Sequence, residues 1–350
     1  MKSNYEPLGK HIRLVDYRNS EEVTSTVLGI SIDKEFMPSV ANVIGTDLSR
    51  YKLISKGVFA CNPMHVGRDE RLPIALYEKD NAAIVSPAYF MFEIIDRDVL
   101  NEEYLMMWFR RPEFDRECWF MTDGSVRGGI SWDDLCRIQL PVPPYERQLD
   151  VVESYRAITR RIAMKKEIND NLEAVLAASH SKMFFSKDTS EHSKLGELMT
   201  FGNGKSRPKT DGPIPVYGGN GVLSYTDHHN IENAVLIGRV GAYCGSVYLE
   251  QGICWVSDNA IFAKSKITKD EFFDYFLLKR LNLFNHHVGT GQQLLTQEIL
   301  NNIEVPKPVT EQIELFNRKA TSIFETIFTN SREIIRLQEL SDLLLSRLAG

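Results

Sequence analysis

Mostly apolar side chains in the last part of the chain recur at alternating intervals of three and four residues. The positions are Ile313, Phe316, Ala320, Ile323, Ile327, Asn330, Ile334, Leu337, Ser341, Leu344 and Leu348. This spacing is typical of the a and d positions of a coiled coil. It predicts one long helix that buries a single stripe of side chains against a partner helix.

A second stripe with the same register lies 165 residues earlier. Its positions are Gln148, Val151, Tyr155, Ile158, Ile162, Lys165, Asn169, Leu172, Leu176, Ser179 and Met183. Prolines mark the start of each helix because proline cannot lie inside one, and these are Pro141, Pro143, Pro144, Pro306 and Pro308. We therefore expect two long antiparallel coiled-coil helices, at residues 145–185 and 310–350.

Polar residues interrupt both stripes at Lys165, Asn169 and Asn330. Either the assigned register is wrong at these positions, or the polar residues fix the register and the pairing of the helices at a cost in stability. The sequence leaves both interpretations open.

The 165-residue offset extends upstream of the helices. It relates Gly124, Leu135, Ile138, Pro141, Pro143 and Glu146 to Gly289, Leu300, Ile303, Pro306, Pro308 and Glu311. Leu8 and Gly9 match Leu195 and Gly196 at an offset of 187, so the first copy is 22 residues longer than the second. Such a long period indicates a duplicated unit.

Each copy combines short β-rich runs with helical stretches. Strands are predicted near 83–85 and 235–237, and helices near 100–109 and 271–281. The predicted fold class is α+β, with two similar mixed α/β globular domains separated by the two long helices. Module 1 is residues 1–144, and module 2, with a polar linker at its start, is residues 186–309.

Composition limits the possible functions. The net charge of -6 argues against a chain that holds nucleic acid without local basic patches or a basic partner. Five cysteines without CxxC spacing indicate reduced thiols in a cytoplasmic protein and no zinc cluster. We expect no membrane span, because no run of about 18 apolar residues appears.

Several strings carry a resemblance to a known family. In module 2 these are YGGNGVLSY at 217–225, IGRVGAYCG at 237–245 and WVSDNAIF at 255–262, and in module 1 they are CNPMHVG at 61–67 and VSPAYFMF at 85–92. Together with the duplicated proline turns and long helices, they resemble the specificity subunit of type I restriction-modification systems. The resemblance covers essentially the whole chain. One departure is that Glu311-Gln312 follows the second proline turn, whereas Glu146-Arg147-Gln148 follows the first.

The resemblance implies a non-catalytic protein in which each module is a target-recognition domain for one half of a bipartite DNA site. The paired helices would set the gap and dock two methyltransferase subunits. The chain itself would bind no cofactor, while its partner subunits would use S-adenosylmethionine for adenine methylation, and ATP and Mg²⁺ for restriction by translocase subunits. Because the two modules differ in sequence, the two half-sites should differ as well.

Candidate DNA-binding residues lie in loops, where backbone and side chains can approach a duplex. In module 2 they are Lys205, Arg207, Lys209, Tyr217, Asn220, Tyr225, Arg239, Gln292 and Gln293; in module 1 they are Asn62, His65, Arg68, Arg71 and Arg127. Arginine and glutamine are the side chains that read guanine and adenine edges. The alternative for each residue is a solvated loop or an ordinary turn, and Asp69 and Glu70 weaken the module 1 set.

Three patterns suggest other chemistry and are rejected. FGNGKS at 201–206 lacks the first glycine of a phosphate loop, since Met199 stands there, and we expect no strand and helix around it. Asn62 to His65 lacks the second proline and the aromatic residue of an adenine methyltransferase motif. The pairs His228-His229 and His286-His287 have no accompanying metal-ligand spacing.

Two other classes of function remain as alternatives. A restriction or modification fusion enzyme would show a nuclease or methyltransferase signature, which we do not find in the sequence. A coiled-coil scaffold that binds only protein would not need two different loop-rich modules, and DNA binding in the presence of a partner would exclude it.

Overall fold

The computed structural model describes residues 5–39, 45–122, 128–186, 191–289 and 291–349, apart from the side chains of His65 and Ala349. The chain divides into two units. The first unit is residues 1–164 with 334–350, and the second unit is residues 165–333. Each unit therefore contains part of both long helices.

The first half of the chain combines short strands with four short helices and one long helix. The strands are β1 (Tyr5–Pro7), β2 (Ile12–Leu14), β3 (Val27–Ile30), β4 (Phe36–Pro38), β5 (Lys52–Ile54), β6 (Phe59–Cys61), β7 (Ile74–Leu76), β8 (Ala83–Val85), β9 (Phe90–Ile94) and β10 (Gln139–Pro141). The helices are α1 (Val66–Asp69), α2 (Glu102–Phe109), α3 (Pro112–Phe120), α4 (Trp132–Arg137) and α5 (Tyr145–Phe185).

The second half repeats this order with longer strands. They are β11 (His192–Lys194), β12 (Met199–Asn203), β13 (Ile214–Gly218), β14 (Gly221–Thr226), β15 (Ile231–Gly238), β16 (Val247–Val256), β17 (Ala260–Ser265) and β18 (Glu304–Pro306). The helices are α6 (Leu195–Leu198), α7 (Phe272–Arg280), α8 (Gln297–Asn302) and α9 (Thr310–Ser346). Single 3-10 turns occur at Leu8–Lys10, Leu48–Arg50, Pro63–His65, Gly241–Tyr243, Leu283–His286 and Arg347–Ala349.

The 165-residue offset reproduces the frame around each proline turn residue by residue. It carries α4 onto α8, β10 onto β18 and the start of α5 onto the start of α9. Ser131 and Thr296 occupy equivalent positions and cap their helices in the same way, each accepting a hydrogen bond from the backbone N–H three residues later. Helix capping of this kind fixes where each short helix begins.

The strand order is also repeated, with one strand split in two. Beside the two-stranded sheet of β11 and β18, the second unit has a six-stranded sheet with the order β12-β17-β15-β16-β13-β14. In the first unit the same arrangement falls into two sheets, β2-β9-β6-β7 and β4-β3-β8-β5. The long strand β16 takes the places of both β7 and β8, and its parallel pairing with β13 corresponds to that of β8 with β3.

Both predicted heptad stripes are shielded from solvent. No stripe position from Gln148 to Met183 or from Ile313 to Leu348 is exposed. Neighbouring side chains add to the buried surface, and Val152 and Leu345 share one core in the first unit, while Phe184 and Phe316 share another in the second. The predicted long helices and the mixed α/β class are confirmed.

A buried amide ties each long helix to its own module. In the first unit Gln148 accepts from the backbone N–H of Asn101 at 2.9 Å and donates to the carbonyls of Val99 and Pro143. Although the Glu-Gln pattern is not kept after the first proline turn, Gln148 still makes the contact between the helix and its module.

In the second unit the corresponding amide is Asn317, one helical turn further along. It accepts from the backbone N–H of Phe273 at 2.9 Å and donates to Thr268 and to the carbonyl of Asp270. Gln312, which follows the glutamate of the proline turn, is exposed instead. The two modules therefore anchor their long helices with residues from different turns of the helix.

Candidate nucleic-acid interface

Five loops of module 2 are joined by hydrogen bonds around the end of β15. The turn between β13 and β14 reaches the end of β15, because the Ser246 hydroxyl donates to the Gly219 carbonyl. The backbone N–H of Arg239 donates to the Asn259 carbonyl at 3.0 Å, and that of Lys205 donates to the Val256 carbonyl at 2.9 Å. The fifth loop, which ends at Leu295, joins this group through the hydrogen bond from the Leu295 N–H to the Arg239 carbonyl.

Arg239 lies at the centre of these loops. Its carbonyl accepts from the backbone N–H of Leu295 at 2.9 Å, so both sides of its peptide are held in place. The side chain is half-buried, and its Nε is buried with no hydrogen-bond partner among the residues that the structure describes. A buried donor without a partner costs about 1–3 kcal/mol. The guanidinium is therefore suited to an acceptor from outside the chain.

The loop before α8 carries the two predicted glutamines. The Gln293 carbonyl accepts from the N–H of Gly241 at 3.1 Å, which fixes the loop beside Arg239. Gly289 has a φ of 92°, a conformation that glycine adopts readily, and a Cβ there would meet the Gln292 carbonyl at 2.5 Å. Gln292 is exposed and Gln293 is half-buried. The geometry thus brings Gln292 and Gln293 close to Arg239 in the fold.

The basic loop after β12 starts at this end of the sheet and runs away from it. Lys205, Arg207 and Lys209 are exposed, and none of them forms an ion pair within the described part of the chain. Gly204 lets the loop pass against the Ser257 carbonyl, which a Cβ at this position would overlap. Beyond Lys209, Thr210 bonds to Thr226 at the far end of β14. The backbone of Lys205 is therefore tied to the end of β16, whereas Thr210, next to Lys209, is tied to the end of β14.

The three remaining predictions in module 2 fall in different environments. Asn220 is exposed in the turn beside Gly219 and belongs to the group of loops. Tyr225 is 57% exposed but lies on the edge strand opposite Pro215, away from that turn. The Tyr217 hydroxyl donates to Glu250 at 2.9 Å, and burial together with this carboxylate raises the pKa of Tyr217. These contacts favour a structural role for Tyr217.

Two of the predicted DNA-binding arginines of module 1 already lie near carboxylates of the chain, unlike the predicted basic residues of module 2 in the part of the chain that the structure describes. Arg68 forms a two-pronged ion pair with Asp69, at 2.7 and 2.9 Å, and Arg71 lies 3.4 Å from Asp33. Asn62 caps the following turn by accepting from the N–H of Met64 at 3.2 Å. The backbone of His65 lies in that turn, its side chain is outside the described part, and Arg127 falls outside the described residues.

The two modules nevertheless build this region in the same way. The backbone N–H of Ile130 donates to the Pro63 carbonyl, as that of Leu295 donates to Arg239. The N–H of Gly67 donates to Gly128, as that of Gly241 donates to Gln293, and Gly128 and Gln293 are related by the 165-residue offset. Pro63 therefore occupies in module 1 the place that Arg239 occupies in module 2.

Two exposed residues near Arg239 were missed in the sequence. Tyr243 is 51% exposed, and its Cβ would lie 3.7 Å from a Cβ on Gly219. Asn259 is exposed beside the N–H of Arg239. Both residues lie inside strings that carry the family resemblance, so that resemblance was the available signal. Their positions add an aromatic ring and an amide to the candidate interface.

The rejected chemistries have no support in the geometry. FGNGKS overlaps strand β12, contrary to our expectation, but no helix follows it, and a phosphate loop requires one. Within the described ranges, no group of three His, Cys, Asp or Glu side chains could hold a metal ion. All five cysteines are free thiols. Among the described helices, none is both long and apolar enough to span a bilayer.

Comparisons with known proteins agree with this architecture. Residues 187–343 match the model of the type I restriction modification DNA specificity domain. A curated relative, named as the putative type I restriction enzyme MjaX specificity subunit of Methanocaldococcus jannaschii, is 20% identical over 379 aligned positions, covering 95% of this chain and 84% of the relative.

A solved structure shows the same fold. The type I restriction-modification S subunit from M. genitalium aligns over 98% of this chain and 95% of its own, with a TM-score of 0.62 and 14% identity. The family model, the relative and the fold agree with the motifs quoted above. Residues 187–343 therefore resemble the type I restriction modification DNA specificity domain, and the whole chain is similar in sequence and fold to type I specificity subunits.

Proposed function

We propose that each module binds one half of an asymmetric bipartite DNA site. The two long helices set a fixed gap between the half-sites and dock two methyltransferase subunits. Methylation of adenine then uses S-adenosylmethionine held by those subunits, and restriction uses ATP and Mg²⁺ through translocase subunits. The relatives named above are specificity subunits, and this assignment extends their role to the present chain.

One observation carries the proposal. The hydrogen bonds from Leu295 to Arg239 and from Ile130 to Pro63 build the same loop junction in both modules, while the side chains presented there differ. A shared frame with different loop residues is the arrangement expected of two readers of different sequences, because base contacts specify and backbone contacts position. The expected site is therefore asymmetric.

The negative net charge of the chain favours a model in which a partner subunit makes most of the contacts to DNA phosphates. The whole chain has a net charge of -6, while phosphate contacts dominate affinity for DNA. Lys205, Arg207 and Arg239 make no ion pair within the described part of the chain, so they are available for a local contact. The chain supplies sequence reading, and the methyltransferase subunits supply most of the phosphate contacts.

The test is the methylated motif of the assembled complex. The chain is co-expressed with its methyltransferase subunit in a host without other adenine methylation, and the genome is sequenced with detection of methylated adenine. We expect one bipartite motif with two different half-sites and a gap of constant length. A contiguous motif, a palindrome or a gap of variable length would contradict the proposal.

A protein-only scaffold is the competing function. It predicts no shift of DNA in a gel when the complex contains this chain, whereas the specificity role predicts a shift that depends on the sequence of the duplex. The same complex serves for both measurements.

A further inference from the structure

A hydrogen-bonded polar cluster interrupts the heptad stripes inside the second unit. The Lys165 Nζ donates to Asn330 Oδ1 at 2.9 Å and lies 2.8 Å from a Glu333 carboxylate oxygen. Asn330 donates in turn to Asn169 Oδ1 at 2.9 Å. Asn169 faces the Ile327 carbonyl at 3.4 Å. The polar positions are thus partnered across the pair, and the predicted register is correct.

The cluster lies where equivalent positions of the repeat face each other. Lys165 and Asn330 are separated by the repeat offset of 165 residues, and they contact each other directly. Two antiparallel helices related by an approximate two-fold axis have this property only at the axis. The residues at this point therefore determine whether α5 or α9 could pair with a second copy of itself as well as α5 pairs with α9.

Pairing of α5 with a second α5 would place two identical polar sets together. Lys165 would face Lys165, and Ile168 would stand where Glu333 stands in the mixed pair. The Lys165 side chain is 17% exposed in the mixed pair, so two such ammonium groups would meet in a poorly hydrated seam without a carboxylate. Unpaired charges in such surroundings are strongly unfavourable.

Pairing of α9 with a second α9 has the complementary defect. Asn330 would face Asn330, and each Glu333 would lose its lysine partner. Asn330 is only 8% exposed, and two facing Asn330 amides could bond to each other, so the defect of this pair is that each Glu333 carboxylate has no lysine opposite it. In the mixed pair, Lys165 lies opposite Glu333, and Lys165 and Asn169 bond to Asn330.

We propose that this cluster selects the pairing of α5 with α9 and excludes pairing of either helix with a second copy of itself. Specificity then arises from unfavourable contacts in the wrong pairs as well as from favourable contacts in the correct one. The consequence is an assembly that contains one copy of each module, and not two copies of one. This selection acts on the chain whether or not the proposed DNA function is correct.

Four full-length proteins test the selection with matched substitutions. The first is the unchanged chain. The second, Asn330→Lys with Glu333→Ile, gives α9 the residues that α5 carries. The third, Lys165→Asn with Ile168→Glu, gives α5 the residues that α9 carries. The fourth combines all four changes and exchanges the two sets, so that a lysine at position 330 can reach a glutamate at position 168.

Thermal unfolding of the purified chains is the measurement. We expect the second and third proteins to unfold about 5 °C or more below the unchanged chain, since each mimics a pair of identical helices. The fourth should recover most of that loss, because the complementary sets are restored with their positions exchanged.

Recovery of stability in the fourth protein would show that the two residue sets act as a complementary pair. It would exclude the explanation that each residue is needed only at its own position. If the fourth protein is as unstable as the sum of the second and third, the residues act singly and the proposal is overturned. It is equally overturned if the second and third proteins match the unchanged chain. Should the second protein fail to fold, rescue in the fourth still decides the question.

Discussion

The two modules share a frame and differ in what the frame presents. Helix starts, helix caps and the junction of Leu295 with Arg239 or of Ile130 with Pro63 are equivalent in both. At that junction module 2 offers an arginine whose Nε is unpartnered in the described part of the chain, while module 1 offers a proline. The duplicated backbone frame is therefore shared by the modules, while the side chains that it presents differ.

The modules also differ in how they bury charge. In module 1, Lys34 and Asp115 form a buried ion pair at 2.6 Å. In module 2, Asp274 is buried, and burial raises the pKa of its carboxyl to about 7, with Ser265 opposing and Glu271 reinforcing the rise. Lys264 lies 2.7 Å from Glu271. Both modules therefore contain a buried carboxylate paired with a lysine, and only module 2 adds a buried carboxyl, that of Asp274, that favours its neutral form.

The largest difference in stability between the modules should come from replacing Asp115 and Asp274 by asparagine. Asp115→Asn leaves the buried Lys34 ammonium without its partner and should destabilise the protein by about 3–5 kcal/mol. Asp274→Asn should stabilise it above pH 7, because the carboxyl must ionise at a cost there. A rise of about three pKa units sets an upper limit of about 4 kcal/mol.

The sign of the pH dependence follows from the raised pKa. The stability that Asp274 contributes is present below its unfolded pKa of about 3.8 and is lost as pH rises through about 7. Urea unfolding of wild type and Asp274→Asn from pH 4 to pH 8 should therefore show a difference that grows with pH. A difference that does not change over this range would contradict the account.

The buried amides should give the next largest effect. Gln148→Ala and Asn317→Ala should each lower the free energy of unfolding by about 2 kcal/mol, because each leaves several backbone groups without partners. Gln312→Ala is the control and should change stability by less than about 0.5 kcal/mol, since this side chain is exposed. If Gln312 mattered as much as Asn317, the anchor of module 2 would be misassigned.

A smaller effect is expected from single arginines at the interface. Arg239→Ala should cost the complex about 1–3 kcal/mol of discrimination at one base position in one half-site. Arg68→Ala should cost less than about 0.5 kcal/mol, because Arg68 is already paired with Asp69. Competition binding of the complex with single-base variants of its site makes the comparison. Equal weakening on all duplexes would show that Arg239 contacts phosphate only.

The frame could be predicted from the sequence because its signals are local or periodic. Prolines at 141, 143 and 144 and the heptad stripe placed the first long helix at 145–185, where α5 is found. The repeat placed Leu8 and Leu195 as equivalents, and both donate to the carbonyl before the final short strand, at Ile138 and Ile303. Such features need no knowledge of distant contacts.

The interface was less predictable because its residues depend on partners far away in the chain. The Tyr217 hydroxyl donates to Glu250, and Arg71 lies 3.4 Å from Asp33, and both of these partners are distant in the sequence. Asn317 replaces the role of Gln148 one turn later, which no spacing revealed. The contribution of each candidate residue to DNA binding stays a prediction, and their geometry decides only which of them lie together.

Exchange of one module is the decisive experiment for independent DNA recognition by the two modules. Residues 195–305 are replaced by the equivalent segment of a relative with a known site, leaving both long helices intact, and the methylated motif of the complex is mapped. The account predicts that one half-site changes to that of the relative, while the other half-site and the gap length stay the same. A change in both half-sites, in an active complex, would contradict it.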